Sequence, residues 1–196
     1  GTILINNQKI NTLKEFERYK TIGRVYQDPS KGTCPTMTIL ENMSLADNKN
    51  RSFNLSWGTN KKRIDYYKEL LSQLNLGLED KLGVKVGLLS GGQRQAMALL
   101  MTTMSPIEIL ILDEHTAALD PKTAEIIMEL TNNIVKKKKI TTLMVTHNLM
   151  HALHYGNRLI MMHEGNAIMD LNEQDKKSTS VDNILNVFNK ISLERG

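Results

Sequence analysis

The sequence has almost no cysteine and lacks any long run of apolar residues. Cys34 is the one cysteine among 196 residues, so no disulfide can form within the chain, and this usage suits a reducing compartment. The longest apolar stretch, residues 96–101, is far too short to cross a membrane. The first residues show no signal-peptide pattern. Any association with a membrane would therefore depend on a partner.

The composition is that of a folded protein with a mild excess of positive charge. Hydrophobic residues make up 40% and charged residues 23% of the chain, which favours one globular domain, or one domain with an inserted subdomain. The net charge of +4 is compatible with a phosphate ligand or a membrane surface and establishes neither. The four lysines of residues 136–139 are interpreted as a solvated helix end, where cations are favoured, and not as a nucleic-acid patch.

The second half of the chain alternates strand and helix patterns. Residues 109–112 are continuously apolar, which predicts a strand buried on both faces. Pro121 suits the first position of a helix, and residues 140–146 and 149–155 read as the next strand and helix. A hairpin is predicted over residues 158–171. This order predicts an α/β fold with a parallel sheet.

The first half of the chain reads differently. Residues 22–26 form a predicted strand that ends at Gln27, and a mainly helical region comes next. Apolar residues between Ile64 and Leu74 recur at the spacing of one helix face. Residues 47–60 are predicted to form a loop, and residues 172–196 a polar tail with one amphipathic stretch from Ile184 to Leu193.

Two adjacent carboxylates, Asp113 and Glu114, follow the apolar strand. Open parallel sheets bind ligands at the carboxyl ends of their strands, and neighbouring strand residues point in opposite directions. One carboxylate can hold Mg²⁺, while the other orients and deprotonates an attacking water. His147 follows the next predicted strand and is placed at the same edge of the sheet.

Residues 89–93, Leu-Ser-Gly-Gly-Gln, form a glycine-rich helix start. Backbone N–H groups at such a position favour a phosphate, and glycines allow it to approach closely. The pattern from Ser90 to Gln93 also has the form of a capping box, so a plain helix cap would explain it equally well when taken alone.

Taken together, five motifs in this order resemble the ATP-binding-cassette (ABC) family of ATPases, and nearly the whole chain is covered. They are Gln27 (Q-loop), Leu89 to Gln93 (the LSGGQ signature), Ile109 to Glu114 (Walker B), Ala118-Leu119-Asp120 (D-loop) and His147 (switch histidine). The resemblance implies an α/β P-loop NTPase (RecA-like) parallel sheet with an inserted helical subdomain. That subdomain would span about 29–95, the α/β core about 1–28 and 96–171, and the tail 172–196.

The resemblance also implies a role for each residue. Glu114 would be the catalytic base, His147 would contact the γ-phosphate of ATP, and Asp113 would hold Mg²⁺. Gln27 would contact the metal and sense the transporter partner. The signature would touch ATP on the opposite subunit of a head-to-tail dimer, with Asp120 at that interface; its residues are Ser90, Gly91, Gly92 and Gln93.

The chain departs from the family pattern in four respects. The phosphate-binding loop G-x-x-x-x-G-K-[ST] (Walker A) is absent from the sequence, as is the aromatic residue expected upstream to stack on the base. We expect an N-terminally truncated cassette that lacks its first strands and is inactive by itself. His115 stands where the family often has proline or alanine. The helix after the signature lacks the usual arginines.

The function implied is the ATPase motor of an ABC membrane transporter. Residues 113–120 look most like those of bacterial importers of amino-acid-like solutes. The chain would lie peripherally on the cytoplasmic face of the membrane. Its partners would be a membrane-spanning subunit, a second nucleotide-binding subunit and, in an importer, an external substrate-binding protein; no nucleic acid is expected. Phe53 and Trp57, in the helical region, are candidate contacts with the membrane subunit.

Other functions stay open on the sequence. One is a soluble ATPase of the same superfamily in DNA repair or translation, although the segment between Gln27 and Ser90 is too short for the long coiled coil of the repair type. Another is a non-catalytic remnant that only binds a partner. A metal site formed by His147, His151 and His154 is disfavoured, because no cysteine or acidic ligand accompanies the three histidines.

Overall fold

The structure, a computed structural model, describes residues 1–49 and 58–193, with side chains up to residue 189. Phe53, Trp57 and most of the loop predicted between residues 47 and 60 lie outside the described residues. The chain divides into two compact units, Gly1–Val145 and Thr146–Gly196. No helix among the described residues is long and apolar enough to cross a membrane.

The described residues of the first unit form a small hairpin, a three-stranded sheet and five α-helices. The sheet has the order β3-β4-β5, and both pairings are parallel, as the sequence predicts. Ile22 pairs with Ile109 and Ile109 with Thr141, so that the three strands end at one edge. The elements are β1 (Leu4–Ile5), β2 (Gln8–Lys9), α1 (Glu15–Arg18), β3 (Ile22–Val25), α2 (Ile39–Asp47), α3 (Ile64–Ser72), α4 (Gly91–Met104), β4 (Ile109–Asp113), α5 (Pro121–Lys138) and β5 (Thr141–Val145).

Two apolar clusters hold this unit together. One joins the helices α2, α3 and α4 around fully buried Met43, Tyr67 and Met97. The other packs Leu99 of α4, with partly buried residues of α5, against Leu110 and Leu112 of β4. Each fully buried leucine contributes about 1.5–3 kcal/mol relative to exposure. The inner face of the sheet is thus held firmly against α4 and α5.

The prediction that β4 is buried on both faces is wrong. Leu110 and Leu112 are buried, whereas Ile109 and Ile111, which point the other way, are only half-buried. On the same outer face of β5, Leu143 is 57% exposed. Four consecutive apolar residues therefore do not signal equal burial here, because helices of the described unit pack on one side of the sheet.

The second unit consists of an antiparallel hairpin with short helices before and after it. Its elements are α6 (Leu149–His154), β6 (Leu159–His163), β7 (Asn166–Leu171), α7 (Glu173–Ser178) and α8 (Val181–Leu193). The hairpin is the predicted one. The predicted polar tail contains the two helices α7 and α8, and Ile184 of α8 is buried in a cluster with Leu159 and Met161 of β6. An amphipathic helix such as α8 is stabilised by packing of its apolar face more than by propensity.

The lysine run that the sequence analysis interpreted as a helix end does lie at the end of α5. Lys138, in the lysine run at the end of α5, donates its Nζ hydrogen to the carbonyl of Thr103 at the end of α4. Lys139 adopts the left-handed conformation that ends α5. Among the described residues, no group of three or more histidine, cysteine or acidic side chains is placed to hold a metal ion.

Candidate functional site

Asp113 and Glu114 lie where β4 ends, at the carboxyl edge of the parallel sheet. Asp113 is the last strand residue, and Glu114 turns out of the strand with φ +46°. The Glu114 N–H still donates to Val145 O of β5 at 3.0 Å, and the Glu114 carbonyl accepts from Ala117 N at 2.9 Å. The strand alternation expected for the two carboxylates therefore does not apply, because the left-handed backbone sets the direction of Glu114.

The left-handed conformation at Glu114 is unfavourable for a residue other than glycine, and it costs on the order of 1–2 kcal/mol. Such a conformation persists where the surroundings fix it, and it is frequent at functional sites. Here the strand ladder before Glu114 and the turn after it supply two fixed hydrogen bonds. The carboxylate is half-buried, so it remains accessible to water.

His115 anchors the segment that follows the two carboxylates. It is 2% exposed, and its Nε2 lies 3.1 Å from Thr131 Oγ1 on α5. Since the Thr131 hydroxyl donates to Ile127 O at 2.6 Å, its oxygen is left to accept, and this assigns the ring proton to Nε2 of His115. The departure from the usual proline or alanine thus adds a tether between the carboxylates and the middle of α5.

Asp113 is paired with a residue that the sequence analysis did not single out. Arg24, on β3, donates from Nη2 to Asp113 Oδ2 at 2.6 Å, and the two side chains are 42% and 40% exposed. The hydrogen bond to Asp113 raises the pKa of the Arg24 guanidinium, so Arg24 stays charged at neutral pH. The sequence signal was a single charged residue within the apolar strand Ile22–Val25.

The glycine-rich segment begins α4, and its capping box is fully formed. The Ser90 hydroxyl accepts from Gln93 N at 3.2 Å, and the Gln93 side chain accepts from Ser90 N at 3.1 Å. Gln93 also donates from Nε2 to Leu76 O at 3.2 Å. Ser90 is exposed and keeps a hydroxyl hydrogen to donate outward, so capping and ligand binding are compatible at this position.

The second glycine of the signature has a packing reason that the sequence did not reveal. Gly92 is buried, and a Cβ built on it would lie 2.3 Å from Thr123 Cγ2 on α5. A Cβ on Gly91 would lie 3.3 Å from Leu119 Cδ2. The start of α4 is therefore in direct contact with the residues around the start of α5.

Asp120, predicted at a subunit interface, is the N-cap of α5. Its carboxylate accepts from Thr123 N at 3.0 Å, and hydrogen bonds from Thr123 hold the pKa of Asp120 below its usual range. Asp120 is exposed, so the cap faces solvent. Asp and Asn are favoured N-caps because they satisfy backbone donors that have no partner within the helix.

Gln27 follows β3 and is exposed. The backbone before it is held by Gln95 of α4, whose Nε2 donates to Tyr26 O at 3.0 Å. Gln95 is 1% exposed and is a second functional candidate that the sequence analysis missed. Its spacing of two residues after Gln93 was the available signal. The signature helix and the strand that carries Gln27 are therefore joined by a buried side chain.

A cleft of about 330 Å³ brings three of the predicted motifs together. Gln27, Gly91 of the signature, and Ala118 and Leu119 of the D-loop all line it, together with Asp28, Pro29 and Arg94. Asp113 and Glu114 are not among the residues that line it. His147 lies in the second unit, where it is exposed and precedes Asn148, the N-cap of α6.

The two carboxylates fit a magnesium ion. Mg²⁺ prefers carboxylate oxygens and is usually held by one or two of them together with substrate phosphates, and not by a cage made only of protein. Asp113 already attracts a cation, the guanidinium of Arg24, to its Oδ2.

Comparisons with known proteins agree with the motifs. A family model described as ABC transporter matches residues 1–117. The chain is 48% identical over 188 residues to the tyrosine transport ATP-binding protein of Clostridioides difficile (strain R20291), covering 96% of this chain and 74% of that protein. It is 29% identical over 188 residues to the phosphonates import ATP-binding protein PhnC of Lactococcus lactis subsp. lactis (strain IL1403), covering 94% and 75%.

Solved structures show the same fold. The cassette cbiO1 from Clostridium perfringens, part of the ABC transporter complex cbiONQ, superposes with a TM-score of 0.74 at 25% identity, covering 96% of this chain and 72% of that one. The dimeric post-hydrolysis cassette MJ0796 bound to ADP and Pi gives 0.71 at 30% identity, covering 88% and 73%. The predicted α/β P-loop NTPase fold is thus confirmed. This chain belongs to the ABC transporter family, as an ATP-binding cassette of the kind that couples ATP hydrolysis to transport.

Proposed function

We propose that this chain powers an importer of an amino-acid-like solute, with tyrosine and related amino acids as the first candidates. The observation that carries the proposal is the 48% identity, across 96% of the chain, to a protein named for tyrosine transport. A methionine import protein of Lactobacillus johnsonii is 31% identical over 170 residues, which supports the same solute class.

We assign hydrolysis to the edge of the sheet where β4 ends. Glu114 would hold the attacking water and accept its proton, a role supported by its half-buried carboxylate and its fixed backbone. Asp113 would hold Mg²⁺, which when bound neutralises phosphate charge. Gln27 would add an oxygen ligand to the metal, and His147 would donate a hydrogen bond to the γ-phosphate.

We place the signature and the D-loop at a head-to-tail dimer interface. The exposed Ser90 hydroxyl and the N-terminal end of α4 would meet the γ-phosphate of ATP on the second subunit, where backbone N–H groups favour an anion. Gly91, Gly92 and Gln93 would complete this contact, and Asp120 would face the partner. The relative MJ0796, at 30% identity, is described as dimeric, which supports this arrangement.

The membrane-spanning partner would dock on the helical part that follows Gln27, and the protein would lie peripherally on the cytoplasmic face. Leu45 of α2 is 52% exposed in this part of the chain and is a candidate contact residue. An external substrate-binding protein would deliver the solute to the membrane subunit. No part of this scheme requires nucleic acid.

Uptake of labelled amino acids by cells that carry the protein tests the proposed substrate. Deleting the gene should abolish the uptake of one amino acid, and restoring it should recover that uptake. Restoration with Glu114→Gln should fail, whereas Glu108→Gln, at the opposite end of β4, should succeed. Unchanged uptake of every amino acid after deletion would refute the substrate class and leave the family assignment intact.

A second candidate function is binding a partner without catalysis. ATP titration of this chain, followed by calorimetry, separates the two. Measurable Mg²⁺-dependent binding that is lost in Asp113→Asn would support a nucleotide site in the residues at hand. The intact mass of the natural protein complements this measurement, since a mass several kilodaltons above 22.2 kDa would leave room for the phosphate-binding loop.

A further inference from the structure

Arg24 occupies a position in the sheet from which it reaches the proposed metal ligand. It pairs with Ile111 in the register between β3 and β4, and Asp113 lies one pleat further along the same face. The guanidinium Nη2 donates to Asp113 Oδ2 at 2.6 Å. Among the described residues, Arg24 is the partner defined for the Asp113 carboxylate.

A guanidinium and a magnesium ion place competing demands on this carboxylate. Each is a cation that binds a carboxylate oxygen, and Mg²⁺ additionally requires near-ideal octahedral geometry. With Nη2 at 2.6 Å from Oδ2, a metal at that oxygen would bring two cations into contact. Arg24 must therefore move before Oδ2 can serve as a ligand.

The surroundings of Arg24 offer its charge a second contact. The guanidinium carbon lies 4.6 Å from the ring centroid of Tyr26, in cation–π range. Lys31 approaches the same ring at 6.0 Å without any hydrogen bond to Asp113. Arg24 can thus release the carboxylate while its charge keeps an aromatic neighbour.

We propose that Arg24 is a positioning residue that holds the Asp113 carboxylate in the metal-free protein and competes with Mg²⁺ for it. Metal loading at Oδ2 then requires Arg24 to leave that oxygen, which links the state of the Walker B aspartate to strand β3 and to Gln27, which follows it. This inference rests on the proposed role of Asp113 as the metal ligand. It adds a residue that the family resemblance did not imply.

Mn²⁺ binding to the chain tests the proposal without any measurement of activity. Mn²⁺ prefers the same oxygen ligands as Mg²⁺, and its free ion gives an electron paramagnetic resonance signal that disappears on binding. We expect Arg24→Met to tighten Mn²⁺ binding about fivefold (about 1 kcal/mol), the upper worth of an exposed ion pair. Arg24→Lys keeps the charge and should bind like the unmodified chain.

Lys31→Met provides the matched control, because Lys31 lies over the same tyrosine ring but does not contact Asp113. We expect it to leave Mn²⁺ affinity within about twofold, as befits a screened surface charge. An increase equal to that of Arg24→Met would reduce the effect to general electrostatics and overturn the proposal. If Arg24→Met does not fold, Arg24→Gln tests the same loss of charge with a polar side chain.

Asp113→Asn separates failure of this inference from failure of the proposed function. If Asp113 is the ligand and Arg24 its competitor, Asp113→Asn weakens Mn²⁺ binding and removes the effect of Arg24→Met. Binding that depends on Asp113 but ignores Arg24 would overturn the competition alone. Binding that does not depend on Asp113 would overturn the metal role of Asp113 and with it this inference.

Discussion

The contact between Gly92 and Thr123 leads to a quantitative prediction about Gly92→Ala. In an ordinary helix, alanine in place of glycine stabilises a protein by about 1 kcal/mol. Here the new methyl would lie 2.3 Å from Thr123 Cγ2, well inside van der Waals contact. Overpacking of this kind costs about 1–3 kcal/mol, so we expect a net loss of about 1 kcal/mol.

Thr123→Ser is the matching second change, because it removes only the methyl group that clashes. After Cγ2, the nearest atom to the new Cβ is Thr123 Cβ at 3.8 Å, an ordinary contact. In this background Gly92→Ala should become neutral or stabilising by up to about 1 kcal/mol. The double-mutant cycle should therefore show a coupling of about 2 kcal/mol between the two positions.

Urea unfolding of the four proteins measures this coupling, with fluorescence and circular dichroism as two probes of one transition. Gly91→Ala is a useful control, since its Cβ would meet only the flexible end of Leu119 at 3.3 Å. If Gly92→Ala is as stable as the unmodified chain, the N-terminal ends of α4 and α5 can move apart with little loss of stability. Failure of Thr123→Ser to rescue it would refute the packing explanation for the second glycine.

Three further predictions concern the residues that follow β4. Glu114→Gln should slow ATP hydrolysis by the complete protein about 10²–10⁴-fold in a phosphate-release assay, with Glu108→Gln near normal; normal turnover in Glu114→Gln would refute the base assignment. Thr131→Val should cost about 1–3 kcal/mol in urea unfolding, because it leaves the buried His115 Nε2–H without its acceptor, and a second change of His115→Leu should recover part of the loss. Asp120 has a lowered pKa in the folded state, so its stabilising effect is present above its unfolded pKa and is lost as pH falls through the folded value. The melting temperature should accordingly fall less on acidification in Asp120→Asn, and identical pH profiles would contradict this.

The order of helices and strands could be predicted because the spacing of apolar residues and the positions of helix- and strand-ending residues are local signals. The sequence predicted the bounds of β4 and the start of α5 at Pro121 to within one residue. Both signals are local: a charged residue ends the apolar run of β4, and a proline is favoured at the first position of a helix. Burial of the outer face of β4 could not be read in the same way. The burial of this face depends on which elements pack against that side of the sheet, and residues 109–112 themselves give no information about those elements.

The contacts that shape the site were harder to predict, because they join distant parts of the chain. Arg24 and Asp113 are 89 residues apart, and only a charge in an apolar strand hinted at a partner. The glycines of the signature were interpreted as space for a phosphate, whereas Gly92 faces α5. The positive φ of Glu114 carries no sequence signal, since glutamate does not favour that conformation. The roles assigned to the individual site residues stay predictions.

The backbone conformation of Glu114 sets thermal stability against catalytic activity. A residue that tolerates the left-handed region, such as glycine or asparagine, would relieve the strain at this position and should raise the melting temperature. The same replacement would remove the carboxylate on which the proposed chemistry depends. A screen for thermal stability alone would therefore favour variants that are more stable but inactive. Directed evolution of this cassette has to select for ATP turnover at every round.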